Sequence, residues 1–201
     1  MTRRYVAFEG IDGAGKTTVA RRVAERFRAD GEDVVFFREP GGTPVGEEIR
    51  HVLLDPSGTM AAWPEAMLFA AQRAQLAVDV IAPALAAGKI VVSDRSVYSS
   101  LAYQGGARDL GIDQVRQVNA AGLGEFWPEF VVLLHLDAET GLGREDGPDR
   151  ISVSGLEFQQ RVADAYDQLA AAEPQKFIIV DASRPIDDVI DTAFDALRSR
   201  W

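Results

Sequence analysis

The chain contains no cysteine, which excludes disulfides and thiolate metal sites. It is short of positive charge: 21 lysines and arginines stand against 31 acidic residues, for a net charge of −10. Proteins that grip a nucleic-acid backbone carry a basic face. Apart from Arg21-Arg22, in a helical stretch, no basic tract stands out, so no nucleic-acid partner is expected. A few local cations can still hold a small anionic ligand inside an acidic protein. No apolar run approaches the roughly 20 residues that span a bilayer. The start of the chain, with Arg3 and Arg4, lacks the apolar segment of a secretion signal. The expectation is a cytoplasmic protein with no membrane partner. Lysine is also scarce: only Lys16, Lys89 and Lys176 occur, so arginine is the habitual cation and a lysine at position 16 stands out.

What is present is enough for one core. The 201 residues are 47% hydrophobic, which fits a single domain over 1–201. Five short apolar runs read as buried strands: "YVAFE" (5–9), "VVFFR" (34–38), "IVVSD" (90–94), "FVVLLHL" (130–136) and "FIIV" (177–180). Helical patterns lie between them, at about 16–29, 44–54, 64–86, 112–124, 154–172 and 186–199. Ser154 with Glu157 resembles a capping box, and Pro185 suits the first turn of the last helix. Strands alternating with helices imply an α/β fold: a doubly wound, five-stranded parallel sheet flanked by helices. In such sheets a ligand sits beyond the carboxyl ends of the strands. The polar, turn-rich stretch at about 144–155 is the candidate short lid.

The strongest motif is "GIDGAGKT", residues 10–17, which fits G-x-x-x-x-G-K-[ST] between a strand and a helix. That context defines the P-loop NTPase fold. The loop comprises Gly10, Ile11, Asp12, Gly13, Ala14, Gly15, Lys16, Thr17 and Thr18, and it is the candidate ATP site. Backbone N–H groups and the helix N-terminus attract phosphate oxygens. Lys16 can reach the β- and γ-phosphates, and the Thr17 hydroxyl can ligate Mg²⁺. A guanine-reading N-K-x-D motif is absent, because the single asparagine, Asn119, precedes Ala120. Asp94 is followed by Arg95 rather than by a residue that orients an attacking water. A carboxylate next to an arginine suits transfer to a bound acceptor, with Asp94 serving the metal and Arg95 the phosphoryl charge.

Several polar clusters then follow the strands: "REPGGTPVGEEIR" from Arg38, "FAAQRAQ" from Phe69, "DRSVYSSLAYQGG" from Asp94 and "DASRPIDDV" from Asp181. With "EGIDGAGKTT", in this order and spacing, the chain resembles the thymidylate kinase family over essentially its whole length. The resemblance implies a Mg²⁺-dependent transfer of the γ-phosphoryl of ATP to dTMP, and a homodimer. It assigns Phe69 to stacking on the base, Arg73 to a base carbonyl and Ser100 to a ring nitrogen. On residue types alone, Phe69 and Arg73, four apart on one helix face, read either as a pyrimidine reader or, more readily, as a core residue and a solvated arginine. Tyr103 matches the residue beside the sugar 2′ position, Gln104 a site-lining glutamine, and Asp12 the carboxylate at the acceptor 3′-hydroxyl. Arg38 and Arg95 would hold the acceptor phosphate. Glu39 would orient Arg38 or a metal-bound water. Arg50 reads equally as a phosphate contact or as a surface arginine.

The chain departs from the family pattern in three places. Ala14 stands where other members carry a basic residue, which transfers the catalytic cation to the lid. There Arg150 is the expected cation, with Arg144 on the adenine or the γ-phosphate. Ser152 replaces a glutamate, and Ser96 replaces the third residue of the usual "DRY". Two other functions stay open on these grounds: another nucleoside or nucleotide kinase of the same fold, and a nucleotide-binding protein that has lost transfer.

Overall fold

A computed structural model of the chain describes residues 4–144, 150–151 and 155–201. Five strands form one fully parallel sheet in the order β2-β3-β1-β4-β5. They are β1 (Tyr5–Glu9), β2 (Val34–Arg38), β3 (Ile90–Asp94), β4 (Phe130–His135) and β5 (Phe177–Asp181). All five residues of β1 and of β3 are buried. This is why those segments are apolar on consecutive residues instead of alternating. β1 sits between β3 and β4, so the crossovers run outward in both directions from it. That reversal opens a crevice at the carboxyl end of β1, where a doubly wound sheet takes its ligand.

The long helices are α1 (Lys16–Ala29), α2 (Pro44–Leu54), α3 (Ala62–Leu76), α6 (Ile112–Leu123), α8 (Leu156–Ala172) and α9 (Ile186–Arg198). Thr43 caps α2 by accepting the Gly46 N–H, and Pro44 opens it. The expected helix over 64–86 is not uniform. α3 widens into a π-helical turn at Ala77–Ile81 and resumes as α4 (Ala82–Ala86). Pro83 lies in α4; with no N–H to give the preceding turn, it accounts for the widening just before it. Pro185 stands at the N-cap of α9, one residue before its first helical position. The proposed Ser154 cap falls outside the described residues, and Gly155 occupies the N-cap position of α8.

Two short elements escaped the sequence periodicity. One is α5 (Val97–Ser100), which runs on as a π-helical segment, Leu101–Ala107. The other is α7 (Ala138–Gly143), capped by the Asp137 side chain on the Thr140 N–H. Both hold the crevice. Gly141 of α7 lies so close to the phosphate loop that a Cβ at Gly13 would come within 2.0 Å of its carbonyl oxygen. Gly13 also has φ +78°, so only glycine fits there without strain. Among the described residues, no helix is long and apolar enough to cross a membrane.

Candidate active site

A cleft of about 430 Å³ opens at the carboxyl ends of β1, β2 and β3. Its floor is the loop between β1 and α1. Asp12, Gly13, Gly15, Lys16, Thr17 and Thr18 line it, whereas Ile11 and Ala14 face the core at 2% and 4% exposure. Gly15, at φ +83°, turns the chain into α1, so the N-terminus of that helix points into the cleft. The Lys16 ammonium donates to the Ile11 carbonyl at 2.7 Å. Burial pushes its pKa down to about 8, helped by nearby Arg95, while Asp12 and Asp94 pull it only partly back. A buried lysine, 4.0 Å from the Asp12 carboxylate and beside a helix N-terminus, is placed to receive anionic oxygen.

Thr17 donates its hydroxyl to Asp94 at 2.5 Å. These two oxygens meet at the mouth of the loop. Mg²⁺ is held in phosphoryl-transfer sites by one or two protein oxygens together with phosphates and water. The pair therefore fits that ion as donors, and a larger cage of acidic side chains is absent among the described residues.

Arg95 follows Asp94 at φ 69°, a left-handed conformation that costs a non-glycine residue about 1–3 kcal/mol. It is held there by its N–H on the Phe8 carbonyl at 3.0 Å. Its guanidinium forms an ion pair with Asp12 and lies 5.1 Å over the Tyr103 ring. Asp12 also accepts from Gln159 on α8 at 2.8 Å. Burial raises the Asp12 pKa, but the charges of Arg95 and Lys16 outweigh it and leave the carboxyl at about 2. The Tyr103 hydroxyl is buried with no hydrogen-bond partner among the described residues.

The wall opposite the loop is made of side chains. Phe69, Ser100, Tyr103 and Gln104 line it, and Arg38, Glu39 and Arg50 close its β2 side. Arg50 donates to the Pro40 carbonyl at 2.8 Å, so it belongs to the cleft and not to the outer surface. Ser99 lines the cleft too, but its hydroxyl is spent on buried Glu9, to which it donates at 2.5 Å, while it accepts from Arg95 at 3.4 Å. Ser96 is fully buried; it donates to Glu9 at 2.7 Å and caps α5 by accepting the Tyr98 N–H. The departure at Ser96 is thus absorbed as a helix cap.

Two expected site residues, Arg73 and Arg150, do not line the cleft, and a third, Glu39, lines it with partners other than those expected. Arg73 is 1% exposed and does not line the cleft. All its N–H groups are already engaged: by Glu39 at 2.8 Å, Ser100 at 3.1 Å, Asn119 at 2.5 Å and the Ser96 carbonyl at 3.1 Å, with a second, 2.6 Å contact to Glu39. Glu39 correspondingly holds Arg73 and Gln72, not Arg38. Burial raises its pKa against the Arg73 charge, and its Oε1 has no hydrogen-bond partner among the described residues. Arg150 is directed away from the phosphate loop. It donates to Glu65 at 2.8 Å and to the Leu53 carbonyl at 2.9 Å. Arg144 is the lid-side arginine that does line the cleft, and it donates to the Ala182 carbonyl at 3.2 Å. Arg184 is exposed and paired with Asp188. Ser152 falls outside the described residues. Glu65, Asn119 and Gln159 carry this network without having been singled out; Glu65 could have been found from its i, i+4, i+8 spacing with Phe69 and Arg73.

A glycine loop on a helix N-terminus, a lysine within it, a threonine–aspartate pair and an arginine-lined second wall define an ATP-using phosphotransferase of the P-loop class. Relatives narrow that class. A profile of the thymidylate kinase family matches residues 8–193, and the chain belongs to that family. It is 44% identical over 191 residues to the thymidylate kinase of Halothermothrix orenii, covering 92% of this chain and 91% of that one. It is 43% identical to that of Deinococcus radiodurans, covering 98% and 97%. The crystal structure of thymidylate kinase from Ehrlichia chaffeensis superposes with a TM-score of 0.82 at 28% identity, covering 98% of this chain and all of that one. The chain is accordingly a dTMP kinase by family.

Proposed function

We propose that the cleft transfers the γ-phosphoryl of ATP to the 5′-phosphate of dTMP, with the two nucleotides entering from opposite ends. The observation that carries this reading is the ion pair between Asp12 of the phosphate loop and Arg95 of the acceptor wall, which ties the two half-sites at their meeting point. ATP lies along the loop, its phosphates on the backbone N–H groups and on Lys16. Arg144 reaches the adenine end, next to the 182–184 loop that it already contacts. Mg²⁺ would be held by Thr17 and Asp94 and would neutralise charge on the β- and γ-oxygens.

At the other end, Phe69 offers its ring face to the base and Ser100 offers a hydroxyl oriented by Arg73. Tyr103 crowds the sugar, and Asp12 accepts from its 3′-hydroxyl. Arg38, Arg50 and Arg95 hold the phosphate of dTMP. Two polyanions repel, and fixed cations lower that barrier while aligning an in-line attack by the acceptor oxygen. The protein thus positions and screens, and no covalent intermediate is needed. Arg150, committed to Glu65, has no step in this scheme.

The same reading makes the chain a cytoplasmic homodimer. Trp63, Met67 and Val78 are large, exposed and apolar on α3 and its continuation, the kind of surface that a second copy covers. A panel of nucleoside monophosphates in an ADP-release assay tests the acceptor. dTMP is expected to give the highest kcat/KM; a clear preference for dCMP, AMP or GMP would overturn the assignment.

A further inference from the structure

Glu65 is fully buried, stands in the first turn of α3 and does not line the cleft. A buried carboxylate is costly unless donors surround it. Here four hydrogen bonds converge on it. Gln104 donates to one oxygen at 2.9 Å, and Arg150 donates to the other at 2.8 Å. Arg108 reaches both oxygens at 3.4 Å while its guanidinium lies 4.7 Å over the Phe158 ring. Two cations and one amide are thereby gathered from three parts of the chain: the segment before α8, the π-helical continuation of α5, and its C-cap.

We infer that Glu65 is a positioning residue for the acceptor half of the cleft, acting through Gln104. A carboxylate only accepts, so it fixes which end of the Gln104 amide faces it. The nitrogen is spent on Glu65, and the carbonyl oxygen is the end left for a ligand. Gln104 lines the cleft and is itself 2% exposed, so it has little freedom to turn otherwise. The same carboxylate anchors α3 one turn before Phe69 and two turns before Arg73. One helix face therefore carries, in succession, the anchor, the ring that lines the cleft and the arginine that orients Ser100. The pairing also explains why Arg150 turns away from the phosphate loop.

Glu65→Gln separates this role from a merely structural one, because an amide can face Gln104 with either end. The inference rests on the cleft being the dTMP site. We expect KM for dTMP to rise about tenfold, with kcat and KM for ATP changing less than about twofold. In a Gln104→Ala background, Glu65→Gln is expected to add no further rise, since both act on one contact. If the single variant folds poorly, E65Q with R108M removes one cation along with the carboxylate and carries the same expectation. An unchanged KM for dTMP, or an undiminished effect in the Gln104→Ala background, overturns the inference. Those outcomes leave dTMP phosphorylation by the native protein intact, whereas its absence in the native protein would strike the functional reading instead.

Discussion

The two ends of the cleft are built from different materials. The donor end is mostly backbone: glycines, N–H groups and a helix N-terminus, with Lys16 and Thr17 added. The acceptor end is mostly side chain, and its polar groups are tied to one another before any ligand arrives. Arg73, Glu39, Ser100 and Asn119 form one buried knot, and Glu65, Gln104, Arg108 and Arg150 form another. A backbone cradle recognises any phosphate chain. A network of side chains with fixed donors and acceptors recognises one base and one sugar, because a mismatched group leaves a buried polar atom unpaired. In the proposed function, generality therefore sits at one end and selectivity at the other.

The largest way to break the comparison is Lys16→Ala. It removes the phosphate-loop cation that the proposed function places on the β- and γ-phosphates, and kcat should fall at least about 100-fold. Circular dichroism should show the fold retained, and near-normal turnover would remove the loop from the mechanism. Arg95→Met comes next. It strips the cation shared by the two ends, so kcat/KM for dTMP should drop by about 100-fold with KM for ATP little changed. An equal loss toward both nucleotides would blur the division.

Ser96→Ala tests the frame beneath both ends, not the cleft itself. It leaves the buried Glu9 carboxylate short of one donor and α5 without its cap. Denaturant unfolding should report a loss of about 1–3 kcal/mol, with both KM values unchanged. The smallest effect is a proton. The Lys16 pKa lies near 8 in the free protein, and bound phosphate favours the charged form. ATP binding near pH 8 should take up about half a proton and weaken as pH rises further. Calorimetry in buffers of different ionisation enthalpy measures this, and zero uptake would mean that Lys16 is already fully charged.

The same contrast explains what could be read from the sequence. β1, β2, β3, α1 and α2 were legible to the residue: burial on both faces makes β1 and β3 continuously apolar, and the edge strand β2 is still an apolar run up to Arg38. The phosphate loop was legible because its chemistry demands glycine and lysine at fixed spacing. The acceptor wall was legible only as a set of residues, not as an arrangement. Arg73 had the right helix face, but its partners Glu39 and Asn119 are 34 and 46 residues away. No local pattern announces that such a side chain will be saturated internally. Arg150 shows the same limit: the missing basic residue at Ala14 pointed to it, while the Glu65 carboxylate 85 residues away decides where it goes. The π-helical segment from Leu101 was hidden because "SSLAYQGG" carries polar site residues where a helix period would need apolar ones.

The most direct measurement follows the phosphoryl group itself. Incubated with dTMP and ATP labelled at the γ-phosphate, the protein should place the label on the β-phosphate of dTDP, in step with ADP formed. Label appearing as free inorganic phosphate, or ADP formed without labelled dTDP, would contradict direct transfer between two nucleotides held in one cleft.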